Sequence, residues 1–367
     1  MKTKSIYKIS MFSAFVIAAM ICFTACTKGD SDGSPSVRPG DPKSSGINPD
    51  SAANGAMVTV TGTGLGDMRS IVFEKENVPA PFYSTLNTET AILFRIPDTA
   101  HGGEQNVIFT NSQGKQLVLP FRVLAYPTVS SVSDYNFKEG TQITLTGTNL
   151  GDVETVVLTG TSDQATIISQ DKNSLVIAMP ATTTSKATLD ITNATGKMTT
   201  TQEFVNIPLN FIAFDDDWGQ AAAYGGTVQS WSWGCSAYGY DGIIKTGTKS
   251  LRVDYVDGGL SLFLGCNWAT PNLAFTDYYA AKYITFWARG EGSDVNITIV
   301  PDNPWPGNDM WGGPAATGSK TITINKDVWT YYKIPANFIS GGYSRLDFKI
   351  EGTTDKTVYY DDILIVK

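Results

Sequence analysis

Histidine is almost absent from this sequence: His101 is the only one in 367 residues. Cysteine is scarce as well, with four, and none of them forms a Cys-x-x-Cys pair. A structural or catalytic zinc site built on His and Cys is therefore not expected. Basic charge is in short supply, 27 Lys and Arg against 35 Asp and Glu, for a formal net charge of −8. A chain with that balance does not condense onto a phosphate backbone, which argues against nucleic acid as a partner. No long stretch places apolar residues at helical period. Tryptophan is missing from the first 217 residues, and all eight lie between Trp218 and Trp329.

What is present points to β structure. Hydrophobic residues make up 42% of the chain, enough for packed cores, and 35 glycines punctuate Thr-rich and Val-rich runs. The length suggests about two or three domains. The N-terminus reads as an address. Lys2, Lys4 and Lys8 form a basic region, and Met11 to Phe23 an apolar one too short to favour a membrane span. It ends in Phe23-Thr24-Ala25-Cys26, which resembles a bacterial lipobox, although Phe23 stands where an aliphatic residue is usual. The resemblance implies a signal peptide over 1–25 and lipidation of Cys26. Lysine and acids follow directly, in Lys28-Gly29-Asp30-Ser31-Asp32, and look like a surface-export signal of Gram-negative lipoproteins. Residues 26–43, rich in Ser, Gly, Pro and Asp, have the composition of a flexible tether. Membrane attachment by lipid alone is then expected, at the outer membrane and facing the exterior.

With Cys22 lost and Cys26 lipidated, Cys235 and Cys266 remain. In an oxidising location they either form one disulfide or persist as two buried thiols.

An internal repeat spans most of the next 160 residues. Val58-Thr59-Val60-Thr61-Gly62-Thr63-Gly64-Leu65-Gly66-Asp67 recurs 85 residues later as Ile143-Thr144-Leu145-Thr146-Gly147-Thr148-Asn149-Leu150-Gly151-Asp152. Thr110-Asn111-Ser112-Gln113-Gly114 returns as Thr192-Asn193-Ala194-Thr195-Gly196. Short runs of alternating apolar and polar residues broken by Gly, Pro and Asn read as half-buried strands. Copies of this length suit small β-sandwiches. These motifs resemble the IPT/TIG immunoglobulin-like domain, over 44–124 and 125–207. The resemblance implies a rigid stalk, since neither copy carries an aromatic or carboxylate pair that suggests chemistry.

From about residue 208 to 367 the composition changes. Aromatic residues become dense and at least seven short strand-like runs follow one another, which fits an antiparallel jelly-roll sandwich. The fold class expected is all-β: two tandem immunoglobulin-like sandwiches, then a jelly roll. The order of Phe214-Asp215-Asp216-Asp217-Trp218, Ile284-Thr285-Phe286-Trp287-Ala288-Arg289-Gly290 and Tyr359-Tyr360-Asp361-Asp362-Ile363 resembles jelly-roll carbohydrate-binding modules. Taken whole, the chain resembles surface glycan-binding lipoproteins of polysaccharide-utilisation loci, of the type that binds β-glucans such as xyloglucan. The resemblance implies no catalysis. It also implies a polysaccharide ligand, with an outer-membrane glycan transporter and surface glycoside hydrolases as partners. Related modules often hold a structural Ca²⁺ near their two termini, which would fall to Asp215 and Asp361; solvated caps and turns are the alternative. No cofactor is required for binding.

Sugar rings present apolar C–H faces, and indole offers a large rigid surface for them. Trp305 and Trp311 lie in a Pro- and Gly-rich loop with Asn303 and Asp309 as hydroxyl partners, and are the leading ligand contacts. Trp231 and Trp233, two apart, share one face of a strand, which is either a platform or core. Trp287 and Trp329 sit in strand-like runs and are assigned to the sandwich core, and Trp218 to packing. Two other readings compete: a surface adhesin that grips a host protein with its tryptophans, and a glycoside hydrolase, which needs two opposed carboxylates in one cleft.

Overall fold

Alternation of apolar and polar residues, not helical period, sets the elements. A computed structural model of the chain describes residues 37–221, 226–227, 229–230, 235–256, 262–265, 281–302, 317–339, 345–350 and 355–367. These are strands, turns and short 3₁₀ segments, with no α-helix among them. No helix of the described residues is long and apolar enough to cross a membrane. The chain divides into two compact units, Met1–Ala125 and Tyr126–Lys367.

The first unit is a two-sheet sandwich. One sheet holds Lys43–Asn48, Met57–Thr63 and Ala91–Arg95. The other holds Ser51–Ala53, Gln116–Leu124, Gly103–Asn111, Met68–Phe73 and Val78–Pro79. Between them Phe73, Phe94, Phe109 and Phe121 meet edge to face or tilted, with centroids 5.4–6.4 Å apart, the arrangement aromatic quadrupoles favour.

The second unit opens with a sandwich of the same design. Its Gln142–Thr148 strand has the burial pattern of Met57–Thr63 residue for residue, and Val153–Leu158 that of Met68–Phe73. The repeated motifs have local causes. Gly62 and Gly147 lie against the backbone of a neighbouring strand, where a Cβ would strike the carbonyl of Lys43 or of Thr128. In the Thr-Asn-x-x-Gly turns, Asn111 Oδ1 accepts the N–H groups of Gln113 and Lys115, and Asn193 Oδ1 those of Thr195 and Gly196. Such side-chain bonds reinforce a turn that the backbone also closes, Gly114 N–H donating to the Asn111 carbonyl at 2.9 Å in the first copy. Gly147→Ala is expected to destabilise the second unit by about 1–3 kcal/mol, the range for overpacking. Urea denaturation checks this, and an unshifted midpoint would contradict it.

Residues from Phe211 onward build the second sandwich of this unit. Its first sheet is organised on the eleven-residue strand Lys356–Val366. Tyr283–Gly290 runs along one edge, with Thr330–Pro335 beyond it. Phe211–Asp215 and Ser250–Tyr255 share the other edge end to end, and Cys235–Tyr240 lies outside Ser250–Tyr255. The second sheet runs Gln229–Ser230, Leu262–Gly265, Arg345–Ile350, Val295–Asp302, Lys320–Ile324. The core between the sheets is aliphatic and aromatic, centred on Leu251, Val253, Phe286, Ile297, Phe348 and Tyr360. All-β architecture is thus observed throughout the described residues.

Trp287 is not part of that core. It is buried, 6% exposed, but its neighbour Phe286 faces the core and Trp287 points out of the opposite face of the sheet. Trp329 is half-buried just before the Thr330–Pro335 strand and outside the core cluster. Trp218 packs edge to face on Phe214, 5.6 Å between centroids.

Candidate functional site

The residues singled out as sugar contacts, Trp305, Trp311, Trp231, Trp233, Asn303 and Asp309, lie outside the described residues, as do Cys26 and Cys266. Cys235 is half-buried against the core of the closing sandwich. What is described are the strands that lead into the tryptophan segments. The strand before Trp268 ends at Gly265, and the strand before Trp305 ends at Asp302. Both ends are cross-strand neighbours of Arg345, one on each side. Strand spacing sets them about 10 Å apart. Gln229, which starts the strand before Trp231, pairs with Gly265 in the same row. Trp231 and Trp233 fall in the four residues that connect Gln229–Ser230 of the second sheet to Cys235–Tyr240 of the first.

The outer face of the first sheet is partly taken by the immunoglobulin-like sandwich of the same unit. Trp287 Nε1 donates to Asp134 Oδ1 at 3.0 Å. Tyr135 stacks on Tyr331, 4.4 Å between centroids and 15° between planes, and both rings adjoin Trp287. Lys245 places its ammonium 4.2 Å from the centre of the Trp287 ring and donates to the Ser133 carbonyl at 2.7 Å. Asn136 donates to Asp362 Oδ2 at 3.1 Å and accepts from the Tyr331 hydroxyl at 3.2 Å. Val205 and Ile207 complete the contact against Tyr283, Leu364 and Val366. Glu203 takes both Lys333, at 2.9 Å, and the Tyr283 hydroxyl. A cavity of about 410 Å³ remains beside this junction, lined by Asp134, Lys138, Asp215, Asp216, Lys245 and Asp362 among others.

The two expected Ca²⁺ ligands are engaged by protein donors. Asp215 pairs with Lys138 at 2.6 Å. Asp361 Oδ2 accepts the N–H groups of Lys245 and Thr246, both at 3.1 Å, and Oδ1 that of Asp362 at 3.0 Å. Asp361 ties the 241–249 loop to the central strand, where the backbone bulges through a left-handed Asp362, φ 46°. Burial pushes the Asp361 carboxyl up to about 7. It pushes the carboxyls of Asp134 and Asp362 up too, the latter helped by the charges of Asp361 and Asp134. Among the described residues, no group of three or more His, Cys, Asp and Glu is placed to hold a metal ion. Asp361→Ala would leave three backbone donors unpaired. Faster hydrogen exchange at the Lys245 and Thr246 amides is expected, with a loss of about 1–3 kcal/mol. Unchanged exchange would contradict that role.

Beyond the junction the same face carries a polar aromatic row, in which Tyr238 is exposed and Tyr359 buried. Tyr238, Arg252 and Tyr359 are cross-strand neighbours on three adjacent strands. The Arg252 guanidinium lies over the rings of Tyr240 and Tyr359, 5.4 and 5.5 Å from their centres. Arg252 Nε reaches Asp254 at 3.0 and 3.1 Å, and Nη1 the Tyr359 hydroxyl at 2.9 Å. Thr357 and Tyr238 donate to the same Asp254 carboxylate. Burial opposes the Asp254 charge, but the bonds from Arg252 and Thr357 outweigh it and hold the carboxyl below its ordinary range. Burial pushes the Tyr359 phenol up to about 12. The signal was there in three i, i+2 pairs, Tyr238-x-Tyr240, Arg252-x-Asp254 and Thr357-x-Tyr359, each on one face of its strand.

Residues 127–205 match the family model of the IPT/TIG domain. No protein of curated function matches the chain. Among solved structures, the surface glycan-binding protein PbSGBP-B from Prevotella bryantii is similar at 15% identity, over 90% of this chain and 99% of that one, with a TM-score of 0.51. At that identity the likeness shows a shared fold. SGBP-B from a complex xyloglucan utilization locus in Bacteroides uniformis aligns at 17% identity over 86% and 96%, with a TM-score of 0.39. The Bacteroides ovatus mixed-linkage glucan utilization locus SGBP-B, in complex with a mixed-linkage heptasaccharide, aligns at 12% identity over 87% and 72%, with a TM-score of 0.29.

Proposed function

We propose that this chain binds a neutral polysaccharide at the cell surface without catalysis, through tryptophans of its closing sandwich. The observation that carries the reading is the row Gly265–Arg345–Asp302. Two strands that lead into tryptophan-bearing segments end in the same row of one sheet, on either side of Arg345. Sugar binding needs several aromatic faces within reach of one chain, together with polar partners for hydroxyls. The first sheet gives part of its outer face to the immunoglobulin-like sandwich. The fold shared with the Prevotella bryantii surface glycan-binding protein supports the same class of function.

The ligand we infer is a β-glucan such as xyloglucan or another plant or fungal glucan. Its rings expose C–H faces that indoles match. Trp305 and Trp311 are the contacts proposed first, with Asn303 and Asp309 as hydroxyl partners, and Trp231 and Trp233 as further aromatic faces. Lipid on Cys26 would hold the chain on the outer membrane, and the two immunoglobulin-like sandwiches would lift the binding domain outward. A surface hydrolase and an outer-membrane transporter would then act on the captured glycan.

Affinity electrophoresis against a panel of neutral glucans tests the reading. Retardation by at least one β-glucan is expected, with no release of reducing ends on prolonged incubation. Free migration through every gel would sink it, and sustained release of reducing ends would turn it into a hydrolase.

A further inference from the structure

The part of the first sheet's outer face beyond the junction is built more tightly than a solvent-facing strand surface requires. Arg252 is stacked on Tyr240 and Tyr359 and locked by Asp254, with Glu291 Oε2 3.7 Å from its Nη2. Thr357 Oγ1 adds a bond of 2.8 Å to Asp254. The Asp254 carboxylate is thereby fixed, and it orients the Tyr238 hydroxyl, 3.3 Å away. Above this base the Tyr238 side chain stays accessible, with 43% of the residue exposed, and Glu291 keeps 45% of its side chain in solvent. An exposed aromatic ring with an oriented phenol oxygen at one end of this row, and the half-exposed Glu291 carboxylate beyond Arg252 at the other, suit a short run of pyranose rings and their hydroxyls.

We propose that Tyr238 and Glu291, held by Arg252 and Asp254, form a second glycan contact on the sheet opposite the one that leads into Trp268 and Trp305. It rests on the reading above that the chain binds polysaccharide. Tyr238 supplies the stacking face. Glu291 accepts hydrogen bonds from sugar hydroxyls, and the phenol oxygen, whose own proton is directed at Asp254, accepts another. The ligand is uncharged. The Arg252 donors are turned toward Asp254, Tyr359 and Glu291, and two carboxylates face one guanidinium, so among the described residues of this row a uronate chain meets net negative charge. Contacts on two sheets let one protein hold two stretches of the same polymer, which raises affinity for the polymer over that for a short oligosaccharide without strengthening either contact.

The test uses the full mature chain and its Tyr238→Ala, Tyr238→Phe and Trp305→Ala/Trp311→Ala variants in gels containing a neutral β-glucan or polygalacturonate. Tyr238→Ala is expected to weaken retention by the neutral polymer by about 3- to 10-fold, with heptasaccharide affinity nearly unchanged, because only the second stretch is lost. Tyr238→Phe keeps the ring and is expected to retain most of the binding. If wild type and Tyr238→Ala are retarded equally while the Trp305/Trp311 variant is not retarded, the second contact is overturned and the function stands. If the wild type is not retarded by any neutral glucan, both fall. Equal retention by polygalacturonate overturns the assignment of an uncharged ligand.

Discussion

Trp287→Ala is expected to destabilise the Tyr126–Lys367 unit by about 3–5 kcal/mol, the usual range for truncating a buried Trp. The ring is 6% exposed, so nearly all its area is lost from packing. The change also removes the donor to Asp134, whose carboxyl is already raised by burial, and the π face under Lys245. Tyr135 and Tyr331 would keep each other but lose the ring that both adjoin. Because Trp287 joins two sandwiches, the loss should also split one thermal transition into two, as the immunoglobulin-like part and the closing part melt separately. Calorimetry of the full mature chain reads both effects. A single transition with a melting temperature near that of wild type would show that the junction does not depend on this ring.

The second large effect concerns binding. Trp305→Ala/Trp311→Ala is expected to lower β-glucan affinity by about 1,000-fold, since two aromatic contacts at about 2 kcal/mol each sum to about 4 kcal/mol. Stability should change little, because both residues sit in a Pro- and Gly-rich segment rather than in an alternating strand pattern. Isothermal titration with oligosaccharide, alongside calorimetry, separates the two outcomes. Retained affinity would move the site to Trp231, Trp233 or Trp268. A matched loss of stability would make the loop a plug rather than a platform.

Much of this architecture can be read in the residues. The 85-residue repeat foretold two strands that carry the same burial pattern in both sandwiches, because the glycines and asparagines that enforce the turns are local signals. Trp287 shows where such reading stops. Its strand, Tyr283–Gly290, is buried on both faces except at Arg289, so alternation no longer tells core from junction. The partner that covers the outer face, residues 134–136 and 203–207, is far away in the chain. Asp361 was legible as a carboxylate near a terminus, and solvation or a cation was the natural assignment. Two of its three backbone donors, Lys245 and Thr246, lie more than 100 residues earlier, which no local pattern announces. The Tyr238–Arg252–Tyr359 row lay between these cases: each strand shows its i, i+2 pair, and only the register brings the pairs together.

Binding of a neutral β-glucan by the closing sandwich through Trp305 and Trp311 is decided by running wild type and the Trp305→Ala/Trp311→Ala variant side by side in a gel containing xyloglucan. Strong retardation of the wild type is expected, with the variant migrating close to its position in a gel without polysaccharide. Equal migration of the two proteins in the xyloglucan gel would contradict it.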